Sequence, residues 1–173
     1  MEKNKLGQVW VETVIYTLIG LAIIGLLLAF AKPKIDEMRD RLVVEQTIES
    51  MNEIDGKIQE VYNKGPGNKR VPDLKISRGK LIIDAESDKI SWVIDSRYKY
   101  SEPNEDVPLG NLNVITTAGD PWKVELSKQY NFDLTYDGEQ ERKEVDSATV
   151  SYKFKVENMG FENGEVVVDV VVS

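Results

Sequence analysis

The chain has neither cysteine nor histidine among its 173 residues. Without cysteine there are no disulfides, no thiolate nucleophile and no cysteine-bound zinc or iron–sulfur cluster. Without histidine there is no imidazole general base, no serine–histidine triad and no histidine-bound metal. The sequence therefore predicts no catalytic residues, no metal site and no cofactor, and we expect a protein that is not an enzyme.

Positive charge is also scarce. The 22 Lys and Arg residues face 30 Asp and Glu residues, which gives a formal net charge of −8. This is the wrong sign for binding along a phosphate backbone, so we expect no nucleic-acid partner. An acidic surface suits solubility outside the cell. The sequence contains no Asn-x-Ser/Thr sequon, so N-glycosylation is not predicted.

One stretch of the sequence is almost free of charge. No charged residue lies between Thr13 and Ala31, and extension back to Val9 adds a single one, Glu12. About 20 apolar residues in a helix cross the roughly 30 Å hydrocarbon core of a bilayer. A buried helix and a secretory signal peptide are the less favoured alternatives, because the remaining domain is small and the apolar run is long. We therefore predict a membrane-spanning segment over residues 9–31.

The residues ahead of this segment give it a more specific meaning. Gly7-Gln8 follows a short polar start, and cleavage after Gly7 would make Glu12 the fifth residue of the mature chain. Together with the run Leu18–Gly25, this arrangement resembles the class III leader and helix of archaeal type IV pilins. The resemblance implies a leader of residues 1–7 removed by a prepilin peptidase. It also implies a precursor in membrane lipid and a self-assembled filament built by membrane machinery.

The same resemblance assigns a role to Glu12. It implies that this carboxylate sets the register of an incoming subunit by pairing with the terminal amine that cleavage creates on a neighbour's Gln8. A buried ion pair is better explained by registry than by net stability. Gly20, Gly25 and Ala29 are candidate helix-packing positions, since Gly25 and Ala29 form a small-x-x-x-small pair. Chance spacing in an apolar stretch is the alternative for that pair.

The helical pattern continues beyond the apolar segment. Gly65-Pro66-Gly67 should end it, so we predict one long helix over residues 8–64. The apolar face needs a partner, which is the C-terminal domain, neighbouring subunits or both. A homodimeric coiled coil is the competing interpretation, although heptad spacing is not sustained past Leu42. The apolar positions, at steps of mostly three and four, are Ile35, Met38, Leu42, Ile48, Met51, Ile54, Ile58 and Val61.

The C-terminal part of the sequence has a period of two. Alternating apolar residues in 122–126, 132–136 and 150–156 predict half-buried strands. Glu165–Val172 has valines on both faces and is predicted to be a central strand. Asn163-Gly164 predicts a tight hairpin before it. With seven or eight strands expected, residues 68–173 should form an all-β, extracellular head domain, antiparallel and β-sandwich-like. Residues 101–108 and 137–146 are expected to be acidic loops.

These features predict an α+β fold with a long N-terminal helix followed by an antiparallel β-sandwich-like domain. The leading functional hypothesis is a structural subunit of an extracellular type IV pilus-like filament, active in adhesion or surface attachment. It would reside in the membrane as a precursor and then on the cell surface. The alternative is a single-pass, membrane-anchored β-domain that acts as a binding or minor pilin-like module. An anchored enzyme is the least favoured hypothesis, given the missing histidine and cysteine.

Overall fold

The computed structural model describes residues 4–162 and 164–173, with side chains described in the helix from Val9 onward. One helix, α1 (Asn4–Lys64), precedes eleven strands in this described part of the chain. The long helix and the β-rich remainder confirm the predicted α+β class. The strands are β1 (Lys69–Arg70), β2 (Asp73–Leu74), β3 (Lys80–Asp84), β4 (Lys89–Ser96), β5 (Asp106–Leu109), β6 (Leu112–Thr117), β7 (Trp122–Gln129), β8 (Asp133–Tyr136), β9 (Arg142–Asp146), β10 (Tyr152–Glu162) and β11 (Glu165–Val172).

The strands form two open sheets. The six-stranded sheet has the order β5-β6-β7-β4-β3-β9, and all its neighbouring pairs are antiparallel. The five-stranded sheet has the order β1-β10-β11-β8, with β2 also paired to β10. Its β8–β11 pair is parallel, whereas the sequence reading expected antiparallel pairing throughout. The chain brings β8 beside β11 only after β9 and β10 have intervened, so no hairpin fixes that pair as antiparallel.

Two segments that we expected to be loops contain strands. β5 begins at Asp106, inside the predicted loop 101–108, and β9 lies inside the predicted loop 137–146. In β9 only Val145 is buried, because the strand lies at the edge of its sheet and the other side chains face solvent. The charged side chains of such an edge strand hide the alternation on which the prediction depended.

The chain divides into two compact units, residues 1–39 and 40–173. The second unit therefore contains the C-terminal part of α1 as well as both sheets. Val44, Met51 and Ile58 of the helix share one hydrophobic core with residues of both sheets, among them Trp92 and Phe154. This burial gives the apolar face of the helix a partner within its own unit.

Candidate functional site

The N-terminal unit displays an uninterrupted apolar surface. Every residue from Val9 to Phe30 is exposed, apart from Gly20, which is partly exposed. The exposed fractions of the large apolar side chains in this stretch run from 38% at Val14 to 72% at Phe30. In the part of α1 described from Val9 onward, the chain has one segment long and apolar enough to cross a membrane. This surface is compatible with membrane anchoring.

The threonines of this segment are hydrogen-bonded within the helix itself. The Thr13 hydroxyl donates to the carbonyl of Val9 over 2.9 Å, and the Thr17 hydroxyl donates to the carbonyl of Thr13 over 2.8 Å. Such bonds to the preceding turn match a hydroxyl donor without solvent. Both threonines therefore fit a water-free environment, where a polar group that lacks a partner is costly.

The residues singled out from the sequence lie on this segment or just before it. Glu12 is exposed on α1. A Cβ added at Gly20 or Gly25 would meet nothing within 4 Å, so both glycines lie at open surface. Ala29 is exposed as well. The register role of Glu12 and the packing role of these small residues stay predictions.

The predicted leader, residues 1–7, falls partly outside what the structure describes. Residues 1–3 are not described at all, and Gly7 and Gln8 are described only as helix backbone. Cleavage between Gly7 and Gln8 therefore stays a prediction.

In the C-terminal unit, Asp40 holds two loops against the first turn of the buried helix. Its carboxylate accepts hydrogen bonds from the Arg78 guanidinium and, over 2.8 Å, from the backbone N–H of Arg97. Burial by itself would raise the pKa of Asp40, but these donors together hold the pKa below its ordinary value. The sequence analysis did not identify Asp40. Its spacing could have done so, because Asp40, Val44, Thr47 and Met51 follow one another at steps of four and three and therefore share one face of the helix.

The C-terminal end of the helix is held by Asn158. Its buried side-chain amide donates to the carbonyls of Val61 and Tyr62, each over 3.2 Å. These carbonyls lie in the last turn of α1, where helical partners are missing. The pairing register of β10 with β11 shifts between Asn158 and Gly160, so a β-bulge accompanies the bond. Nothing local in the sequence reveals this contact, because about 100 residues separate its partners.

A buried carboxylate lies deeper in the core. Asp55 is 4% exposed, and its Oδ2 accepts a long hydrogen bond from the Asn111 amide over 3.5 Å. The nearby Tyr130 hydroxyl has a raised pKa, first because of burial and then because of the Asp55 carboxylate. A tyrosine held neutral beside a buried carboxylate is a structural pair, and it lies among core residues rather than in an open cleft.

The outer face of the six-stranded sheet is charged and shallowly concave. A depression of about 570 Å³ lies over β3, β4, β7 and β9. Lys80 contacts Glu144 over 2.7 Å on this face, and Lys89 contacts Glu125 over 3.3 Å on the same sheet. Ion pairs of this kind at a surface contribute little stability. The face is best described as a solvated surface with cations and anions interleaved.

The described acidic side chains do not form a metal site. Among the residues that the structure describes, no group of three or more Asp or Glu side chains is placed to hold a metal ion. The turn after β3 carries Asp88, whose carboxylate accepts a hydrogen bond from the Leu134 backbone over 2.9 Å. Asp88 thus fastens the edge strand β8.

Comparison with known proteins found no match for the chain. No protein-family model, no curated protein and no solved structure matches the chain. The long apolar helix followed by a β-rich domain is compatible with a pilin-like layout.

Proposed function

We propose that this chain is the structural subunit of an extracellular filament of the archaeal type IV pilus kind. The observation that carries the proposal is the exposed apolar surface from Val9 to Phe30, attached to a separately folded C-terminal unit. Exposed apolar area of this extent is unfavourable in water and requires either lipid or other protein. A filament subunit meets both requirements in turn, first in the membrane and then among identical helices.

The C-terminal unit supports the second half of this cycle. It has its own core, in which five apolar residues of the helix, Val44, Met51, Ile54, Ile58 and Val61, are buried. A unit of this kind remains folded whether the apolar segment is in lipid or in a filament. We propose that it forms the outer surface of the filament and mediates attachment.

Glu12 is proposed to set the register between subunits. It is the single charged residue between Val9 and Ala31. A charge within a membrane span costs free energy, about 2.5–3.5 kcal/mol at the centre on insertion scales, and a charge retained at the edge of the span, as Glu12 is, is a functional candidate. Its partner is the terminal amine that cleavage after Gly7 gives the neighbouring subunit.

The test combines fibres with the mature N-terminus. Electron microscopy of material sheared from cells should reveal filaments that contain this chain, and mass spectrometry should find Gln8 at its N-terminus. Glu12→Ala should be processed and folded but form few filaments, and Glu12→Asp should retain more of them. Unchanged filament yield in Glu12→Ala would refute the register role.

A second candidate function is a membrane-anchored binding module. The compact unit from Asp40 to Ser173 favours it, because that unit needs no filament to be folded. In that case the chain should stay in the membrane fraction with an intact leader, and no fibre should contain it.

A further inference from the structure

A second depression lies on the outer face of the six-stranded sheet, near its β5 edge. It has a volume of about 370 Å³ over β5, β6 and β7, which is in the range of small-molecule sites. The polar side chains around the depression over β3, β4, β7 and β9 are all charged, whereas this second lining includes uncharged ones. We refer to the second surface as the amide depression. Its uncharged polar side chains are Asn111, Asn113, Ser127 and Gln129.

The three amides of this depression are held in place by hydrogen bonds to the protein. The Asn113 amide donates to the Asp106 carboxylate over 3.0 Å. The Gln129 amide donates to the carbonyl of Ser87, and Asn111 donates over 3.5 Å to a buried carboxylate of α1. A carboxamide has two N–H donors and a carbonyl acceptor. Since these amides form no other side-chain hydrogen bond within the described residues, each retains one N–H and its carbonyl oxygen for a ligand.

The charges around the amide depression balance. The charged residues of its lining are Lys89, Lys128, Asp106 and Glu125. Lys89 and Glu125 also pair with each other over 3.3 Å. A lining without net charge favours neither an anion such as phosphate nor a cation. Half-buried Ile115 adds an apolar contact, so the depression suits an uncharged ligand that has several polar groups and some C–H surface.

An extended peptide fits this surface less well than a carbohydrate does. Extended peptides bind sheets by adding a strand at an exposed edge, where the main-chain hydrogen bonds provide affinity. The nearest edge strand is β5, and its Pro108 has no N–H to offer. The amide depression lies on the face of the sheet, where side chains provide the contacts. Each hydroxyl group of a sugar both donates and accepts, which matches the paired donor and acceptor of each amide.

We propose that the amide depression binds a neutral carbohydrate. Hydroxyl groups of the sugar donate to the carbonyl oxygens of Asn113 and Gln129 and accept from their remaining N–H groups. The Ser127 hydroxyl and the apolar side chain of Ile115 complete the contact. This inference rests on the attachment role proposed for the C-terminal unit, and it gives the chemical class of what that unit attaches to. All these residues belong to the C-terminal unit, so the site is complete within one chain.

The test is binding of the full chain, in a detergent without a sugar headgroup, to an array of oligosaccharides. The array carries neutral hexose oligosaccharides and, for comparison, uronic-acid and sulfated ones. The chain should bind neutral members in preference to charged ones. Asn113→Ala and Gln129→Ala should each lower that binding several-fold. The matched control is Thr117→Ala, an exposed position of β6 outside the depression, which should bind as the unsubstituted chain does.

Binding to no neutral oligosaccharide, a preference for charged ones, or unchanged binding in both amide variants would overturn the proposal. Thermal unfolding of the C-terminal unit checks that each variant is folded, as expected for exposed side chains. The proposed filament fails separately. Array binding by the membrane form, with no fibres on cells, would contradict filament formation and leave this inference intact. Fibres whose subunit binds no neutral oligosaccharide would contradict only the inference.

Discussion

The two parts of helix α1 differ in how their apolar side chains are covered. In the N-terminal unit, Leu28 is 63% exposed, although it lies in the middle of an apolar run. In the C-terminal unit, Met51 is 1% exposed, on the buried face of a helix whose other face carries charge. The secondary structure is identical, so the difference comes from what covers the helix. Within the C-terminal unit both sheets cover it, whereas the N-terminal segment requires a partner that the described chain does not contain.

The largest expected effect separates these two regions by stability. Met51→Ala should lower the free energy of unfolding of the C-terminal unit by about 2–5 kcal/mol, since it removes buried methylenes and leaves a cavity. Leu28→Ala, the matched change in the exposed run, should alter it by less than about 0.5 kcal/mol. Urea unfolding monitored by tryptophan fluorescence measures both values. Equal destabilisation by the two variants would mean that the exposed run is part of the folded core.

A second substitution should affect the N-terminal segment and leave the C-terminal unit unchanged. Leu21→Lys places a charge in the middle of the apolar run and should weaken membrane insertion by about 2.5–3.5 kcal/mol. The unfolding of the C-terminal unit should not change, because the substitution lies outside its core. Carbonate extraction of membranes measures the inserted fraction. Glu53→Lys, at an exposed position of the C-terminal unit, is the control. Full retention of Leu21→Lys in the membrane fraction would argue against this run as the anchor.

A smaller effect is expected at the C-terminal end of α1. Asn158→Ala removes the amide that donates to Val61 and Tyr62 and leaves one buried and one partly buried carbonyl without that donor. Loss of such a partner costs about 1–3 kcal/mol. The control is Asn63→Ala, an exposed position in the same turn. Thermal unfolding of both variants measures the difference, and equal melting temperatures would contradict the capping role.

The C-terminal unit also illustrates which parts of the fold could be predicted from the sequence. The helix end before Gly65 and the strand Glu165–Val172 are confirmed, because a glycine-rich break and a continuous valine run are strong local signals. The apolar face was predicted correctly at Met51, Ile54, Ile58 and Val61. Upstream, Met38 and Leu42 are exposed, so the C-terminal domain does not cover that part of the predicted face, and its partner stays a prediction.

The buried face upstream of Met51 was not found from the sequence because it carries two polar residues. Steps of three and four taken backward from Met51 lead to Thr47, Val44 and Asp40. Two of these three positions are polar, so a search for apolar residues follows a different face. The partners that make Asp40 acceptable at a buried position, Arg78 and Arg97, lie about 40 and 60 residues away. Contacts of this kind depend on how the loops fold back, which no local pattern reveals.

The smallest expected effect concerns acid. Hydrogen bonds from Arg70 and Lys64 lower the pKa of Glu60 to about 2, and the pKa of Asp40 also lies below its ordinary value. A carboxylate whose pKa is lower in the folded state than in the unfolded state stabilises the fold above its unfolded pKa. That stabilisation is lost as the pH falls through the folded pKa. The melting temperature of the C-terminal unit should therefore decrease between about pH 4.5 and pH 2. Glu60→Gln and Arg70→Gln each remove the pair and should make this decrease shallower, whereas an unchanged slope in both variants would show that the pair does not contribute.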